Sequence, residues 1–172
     1  NAGGGSFCYH AENNQIYLGF VVHLNYENPH VFPYMEFQKF KHHPIIKKML
    51  EGGKRISYGA RAITEGGYQS IPKISFPGGL ILGCSAGLVN VPRIKGNHNA
   101  MISGIAAAQI ACKAIKEGFQ NTELKEYDSE IKDGKVGSDL KPVKNVKPIW
   151  SRFGLLASLV IGGIDMWIAN IA

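Results

Sequence analysis

The chain has 172 residues, a formal net charge of +6, a hydrophobic fraction of 45% and 21 glycines, which fits a globular protein with many tight turns and a real core. Its lysines are spread from Lys39 to Lys147 with no compact basic stripe interleaved with aromatics, which argues against nucleic acid and for a membrane surface or an acidic protein as the partner. Three widely spaced cysteines, Cys8, Cys84 and Cys112, exclude a disulfide framework and a paired-cysteine metal motif, and they suit a reducing compartment.

In chain order, residues 6–24 alternate and then run apolar around a polar turn at 11–15, which predicts a β-hairpin. Asn25 to Pro33 reads as a loop. Residues 34–51 place Met35, Phe37, Phe40, Ile45, Ile46, Met49 and Leu50 at helical spacing, and Pro44 divides them into two short helices stopped by Gly52-Gly53. Lys54 to Ile63 reads as a strand and Tyr68 to Ile74 as mostly extended. Turns are expected at Glu65-Gly66-Gly67 and Pro77-Gly78-Gly79. Leu80-Ile81-Leu82 then predicts a buried strand running into a small-residue loop.

The clearest helix is expected over residues 98–117. Its apolar face is assigned to Met101, Ile105, Ala108, Ile110, Ala111 and Ile115, and Gly118 caps it. Residues 119–148 read as a polar, lysine-rich surface connection with a helix-like piece at 122–131. Cys8 and Cys112 are assigned to the core.

Chemistry is most plainly suggested between Gly83 and Gly104. A strand ends in a glycine loop, and a second loop, 92–97, feeds the long helix. The N-terminus of that helix offers unpaired N–H groups and a partial positive charge for a phosphate or the electron-rich edge of a flavin. An ordinary strand–loop–helix connection reads equally well from these residues alone.

The run 83–101, Gly-Cys-Ser-Ala-Gly-Leu-Val-Asn-Val-Pro-Arg-Ile-Lys-Gly-Asn-His-Asn-Ala-Met, resembles the flavin-contacting segment of the electron transfer flavoprotein–ubiquinone oxidoreductase family. Gly4-Gly5-Ser6-Phe7, the run Phe37 to Pro44 and the run Leu50 to Ala62 are similar to the same family and stand in the same order. The resemblance implies electron flow from reduced electron transfer flavoprotein, through FAD and a four-iron, four-sulfur (4Fe-4S) cluster, to ubiquinone. It places ubiquinone at Gly4 and Gly5, where bare backbone can reach a quinone carbonyl, with Phe7 and Tyr9 lining the tail channel. It places FAD at Gly83, Cys84, Ser85, Gly96 and Asn97. The family usually has proline where Ala86 stands and threonine where Asn97 and Asn99 stand.

Arg61 and the 65–67 turn are secondary candidates for the flavin side, with a salt bridge and a hairpin turn as the plainer reading. His98 is a candidate for proton handling. His42-His43 suits a solvated or capping role. No GxGxxG fingerprint occurs and no cysteine has cluster spacing, so no metal and no catalytic side chain is assigned to this chain.

Residues 149–172 turn apolar with Trp150, Arg152 and Trp167 as headgroup-level anchors, while Asp165 and Gly162-Gly163 interrupt a full span. This predicts a helix dipping into one leaflet of an inner membrane, bacterial or on the matrix face in mitochondria. A buried core helix is the alternative.

The expected fold is α+β, a mixed sheet with covering helices. The expected domains are a ubiquinone-binding region at 1–75, the last part of a FAD-binding domain at 76–118, the connection at 119–148 and the membrane helix at 149–172. Both ends read as internal to a longer sequence, so part of the site is expected outside it. The rival functional readings are a non-catalytic membrane-binding piece and a related flavin-dependent reductase.

Overall fold

The computed structural model describes residues 3–119 and 121–171. The chain divides after Gly59 into two compact units, Asn1–Gly59 and Ala60–Ala172.

The first unit is a hairpin backed by two helices. β1 (Gly4–Ala11) pairs antiparallel with β2 (Gln15–Val22), with Gly5 opposite Val21 and Phe7 opposite Gly19. Asn13 and Asn14 close the turn at positive φ, a conformation asparagine tolerates better than most residues. Because side chains alternate along a strand, the hairpin has two faces. One face carries Phe20, whose ring lies 6.4 Å from Phe37 and 5.3 Å from Phe40 of α1 (Pro33–Lys41). The other carries Gly5, Phe7, Tyr9, Tyr17 and Val21, all of them exposed.

α1 ends at Lys41, and α2 (Pro44–Leu50) starts on the proline. Pro44 has no N–H to donate and would clash with the preceding turn, so the helix must restart there. Gly52 then takes φ +72 and terminates the segment, as the sequence predicts.

In the second unit the core is Ile71, Ile74, Ala86, Leu88, Ala106, Ala107, Tyr127, Ile131, Val136 and Leu140. β3 (Ser75–Phe76) and β4 (Gly79–Leu80) form a minimal hairpin across Pro77-Gly78, with Gly78 at φ +78. A 3₁₀ turn follows at Gly83–Ala86, then α3 (Asn97–Lys116), α4 (Lys125–Asp133), α5 (Lys135–Leu140) and α6 (Val146–Ile171).

The α+β class holds, but the mixed sheet does not form. Both sheets among the described residues are two-stranded and antiparallel. Residues 54–63, expected as a strand, run exposed and without regular structure. Their alternation marks a segment able to pair, but no strand among the described residues lies beside it, and extended backbone gains nothing without a ladder partner. The strand expected at Leu80–Leu82 likewise reduces to the two residues of β4.

Two further expectations are overturned by burial. Residues 119–148 are no surface connection. Tyr127 and Ile131 of α4 and Val136 and Leu140 of α5 sit one helical turn apart in pairs and are 0–1% exposed. The lysines that gave the stretch its polar texture lie on the opposite faces.

The apolar face assigned to α3 is also largely reversed, with Ile110 alone of its large residues packed against the core. Met101, Ile105 and Ile115 are exposed, whereas Asn99, Ser103, Ala106, Ala107 and Ala114 are buried. Small residues let α3 approach its neighbours closely, and hydrogen bonds take up Ser103 Oγ and Asn99 Nδ2. Cys112 is exposed rather than in the core, and Cys8 is half-buried.

Leu140 is fully buried against this core. Leu140→Ala is expected to lower unfolding free energy by about 2–5 kcal/mol, the range for a buried leucine that leaves a cavity. Denaturant titration of the two chains measures the difference.

α6 carries Phe153, Leu155, Leu156, Leu159, Val160, Ile164, Trp167 and Ile168 exposed, and Gly154 at φ +73 kinks it near its start. Among the described residues it contains the one helical stretch long and apolar enough to cross a membrane. Asp165, its only acidic group, accepts a hydrogen bond from Asn145 Nδ2 at 3.0 Å.

Candidate functional site

Each unit holds the residues assigned from sequence to one of the two expected sites. In the first unit, Gly4 and Gly5 lie at the open end of the hairpin and both are exposed. They point to opposite faces. A Cβ on Gly4 would overlap the Val21 carbonyl oxygen, so the backbone pairing itself requires glycine there. A Cβ on Gly5 would meet no atom within 4 Å.

Gly5 therefore opens onto the uncovered face, beside Phe7 and Tyr9, whose rings lie 5.4 Å apart. Phe7 also covers the bare backbone of Gly19 across the ladder, a packing that supports glycine in a strand. The result is an apolar shelf with accessible backbone at one end.

In the second unit, the residues expected for the flavin come together around the start of α3. Gly83 takes φ +56, and a Cβ on it would stand 3.0 Å from the Ala100 Cβ. Its N–H donates to Ser103 Oγ at 3.1 Å, one turn into α3. Its carbonyl accepts from the Leu88 N–H at 3.2 Å, and the Gly87 N–H donates to the Cys84 carbonyl at 3.1 Å. Gly83 is buried, Cys84 half-buried and Ser85 exposed.

The turn thus locks onto α3 while Ser85 faces outward. Gly96 is the N-cap residue of α3, no side chain caps that end, and Asn97 is exposed. An uncapped start leaves backbone N–H groups available to an anion or an electron-rich ring edge.

Gly83→Ala combines a left-handed backbone with a tight contact. It is expected to lower stability by about 1–3 kcal/mol. Gly87 lies at φ +77, and the threonine methyl nearest its Cβ position is at 3.4 Å, so Gly87→Ala carries the backbone cost alone. Thermal melts of the two variants separate the contributions.

The structure also shows a residue that sequence reading missed. Asp139 of α5 collects four side chains from the 90–99 loop and helix start. Asn90 Nδ2 donates to its Oδ2 at 3.0 Å, Asn99 Nδ2 donates to Oδ2 at 3.0 Å, His98 Nε2 lies 3.0 Å from Oδ2, and Arg93 Nη1 donates to Oδ1 at 2.7 Å. Burial alone would raise the carboxyl's pKa. The hydrogen bonds from Asn90, His98 and Asn99 and the Arg93 guanidinium outweigh that and hold it below its ordinary value. His98, the proton-handling candidate, is turned to this carboxylate.

The loop that Asp139 gathers is tight. Asn90 and Lys95 exchange backbone hydrogen bonds at 2.9 and 3.2 Å, and Ile94 sits at φ +54, a rare state for a β-branched residue. Asn99 is wholly buried, yet its Oδ1 has no hydrogen-bond partner among the described residues. A buried acceptor without a partner beside an uncapped helix start fits a bound group that presents an N–H or O–H.

Arg61 is exposed, and Glu65 pairs with Lys147 at 3.3 Å, so Glu65 takes the salt-bridge reading rather than the flavin one. Cys8, Cys84 and Cys112 stand on β1, the 83–86 turn and α3. No three His, Cys, Asp or Glu side chains converge on a metal site among the described residues.

Residues 1–63 match the family model described as ETF-QO, ubiquinone-binding. The mitochondrial electron transfer flavoprotein–ubiquinone oxidoreductase of Dictyostelium discoideum is 48% identical over 178 residues, covering 96% of this chain and 29% of the relative. The proteins of the same name from Caenorhabditis elegans and Homo sapiens are 49% and 46% identical, over 94% and 96% of this chain and 28% of each relative. The chain therefore spans less than a third of the length of these curated relatives. It belongs, on nearly its whole length, to the electron transfer flavoprotein–ubiquinone oxidoreductase family.

Proposed function

We propose that this chain supplies the quinone-reducing end of an electron transfer flavoprotein–ubiquinone oxidoreductase at a membrane surface. The observation that carries the reading is the uncovered hairpin face. The stretch matching a ubiquinone-binding model contains one strand pair, and its open face joins bare backbone at Gly5 to the aromatic shelf of Phe7, Tyr9 and Tyr17. Bare backbone in a strand lets a ligand approach closely where a side chain would block it. The shelf offers apolar contact to the ring and tail.

On this reading Gly83, Cys84, Ser85, Gly96 and Asn97 hold FAD. The turn and the α3 start supply backbone groups, and the Asn99 Oδ1 supplies an acceptor for a flavin N–H. The flavin, when bound, carries two electrons and passes them on singly. The chain's own residues position it. Asparagines stand where the family usually has threonine, and they keep hydrogen-bonding side chains at those points.

The three cysteines stand on separate elements and do not fit a 4Fe-4S cluster. Its ligands are expected elsewhere in the family's length. The electron donor is reduced electron transfer flavoprotein. α6, with its exposed apolar side chains and Trp167, dips into one leaflet. The relatives are named as mitochondrial, which supports a position at an inner membrane.

The test is reduction of the natural protein that contains this chain, followed by addition of a short-chain ubiquinone. Reoxidation of a flavin absorption band is expected. A protein that binds no flavin after reconstitution would instead favour a non-catalytic, membrane-binding role.

A further inference from the structure

Positive charge in the first unit is unevenly placed. Residues 1–35 contain no lysine or arginine, whereas residues 36–55 contain six against two glutamates. The fold gathers part of this charge. Lys41 and His42 at the end of α1 and Lys47 and Lys48 of α2 line one open cleft, with Gln38 and Glu51 as its other polar groups.

Lys39 is neutralised by Glu36 at 2.7 Å. No carboxylate partners Lys41, Lys47 or Lys48 among the described residues. Lys41 instead rests its ammonium 5.3 Å from the Phe37 ring centroid. Lysines in the last turn of α2 also complement that helix's dipole. Lys41, in the last turn of α1, complements that helix's dipole in the same way, but neither dipole accounts for the two helix ends opening on one cleft.

We propose that this cleft is a docking site for the phosphate headgroups of an anionic membrane surface. Three unpaired ammonium groups in one cleft match clustered phosphates, and each basic residue near such a surface strengthens attachment by a roughly constant factor. The same two helices and their approach expose Phe32, Tyr34, Met35 and Ile45. Aromatic and apolar side chains interleaved with lysine are the composition of the headgroup zone, and they suit a lipid surface better than a purely charge-paired acidic protein. The inference rests on the quinone reading, because ubiquinone with its isoprenoid tail is dissolved in the bilayer and the unit that takes it must meet lipid.

The test is co-sedimentation of the full chain with two kinds of vesicle. One is phosphatidylcholine alone and the other is phosphatidylcholine mixed equally with phosphatidylglycerol. The chain is compared with the variant Lys41→Gln, Lys47→Gln, Lys48→Gln, whose fold is checked by circular dichroism. Lys47 and Lys48 are exposed, Lys41 is half-buried, and none belongs to the buried core, so their loss leaves it intact.

The variant is expected to bind the anionic vesicles about a hundredfold more weakly. Its binding to neutral vesicles, which α6 provides, is expected to be unchanged. Equal binding of both chains to anionic vesicles overturns the proposal. So does an unchanged lipid affinity joined to lost capture of electron transfer flavoprotein, which would assign the cleft to an acidic protein. Titration with a short-chain ubiquinone in the absence of vesicles keeps the two readings apart. Lysine-dependent vesicle binding without quinone binding refutes the quinone site and supports the headgroup site. Quinone binding without lysine dependence does the reverse.

Discussion

Gly5→Val is expected to leave the hairpin folded and to weaken ubiquinone binding by at least about tenfold, or ~1.4 kcal/mol. Gly5 faces the open side of the ladder opposite Val21, and a Cβ there meets no atom within 4 Å. Valine favours a strand and gains a cross-strand partner in Val21, so stability holds or rises slightly. What changes is access, because a branched side chain stands over backbone that a quinone carbonyl must reach. Titration with a short-chain ubiquinone, paired with a thermal melt, reads both effects.

Gly4→Ala is the contrast. Its Cβ overlaps the Val21 carbonyl oxygen, so any loss of binding there comes with a disturbed hairpin. An unchanged affinity in Gly5→Val would remove the quinone from this end of the hairpin.

Asp139→Ala is expected to lower stability by about 3 kcal/mol and to loosen flavin retention in the holoprotein. The aspartate side chain is 15% exposed and accepts from Asn90, Arg93, His98 and Asn99. Removing it strands the buried amides of Asn90 and Asn99, while the more exposed Arg93 and His98 turn to water, and hydrogen bonds to a charged group contribute about 1.5–3 kcal/mol each before relaxation. The helix start that presents Asn97 and Asn99 then loses its anchor to α5.

The pH dependence has a defined sign. The folded carboxyl's pKa lies below the ordinary aspartate value of about 3.9. Its contribution is therefore complete above that value and fades as pH falls through the lower, folded one. Wild type should lose stability more steeply than the alanine variant below about pH 4. Urea melts at neutral and acidic pH give the comparison, and parallel acid arms would mean that Asp139 is not the anchor described.

The sequence made the first unit legible because its signals are local. Alternation around Asn13-Asn14 marks the hairpin, and Pro44 and Gly52 mark the helix limits. Gly4 and Gly5 entered through the family resemblance, and only the register showed that they face opposite sides. The second unit was less legible, for two reasons. α3 buries alanine, serine and asparagine, so the usual rule that large apolar residues mark the core face points to its exposed side.

α4 and α5 are short and, with three lysines and five carboxylates, strongly polar, so Tyr127, Ile131, Val136 and Leu140 hid inside a polar average. The i, i+4 spacing of those four residues was the available signal. Asp139 had none, because its four partners lie 40 to 49 residues earlier in the chain. The 54–63 segment alternates as a strand does, but pairing depends on a neighbour, and local pattern does not provide one.

The most direct test of the central claim is the absorption spectrum of the natural protein that carries this chain, reduced by electron transfer flavoprotein and then mixed with short-chain ubiquinone. A flavin band that bleaches on reduction and returns on adding quinone, with the return slowed by Gly5→Val, is the result predicted here. A flavin that stays bleached in the presence of quinone, or a protein that takes up no flavin at all, would contradict it.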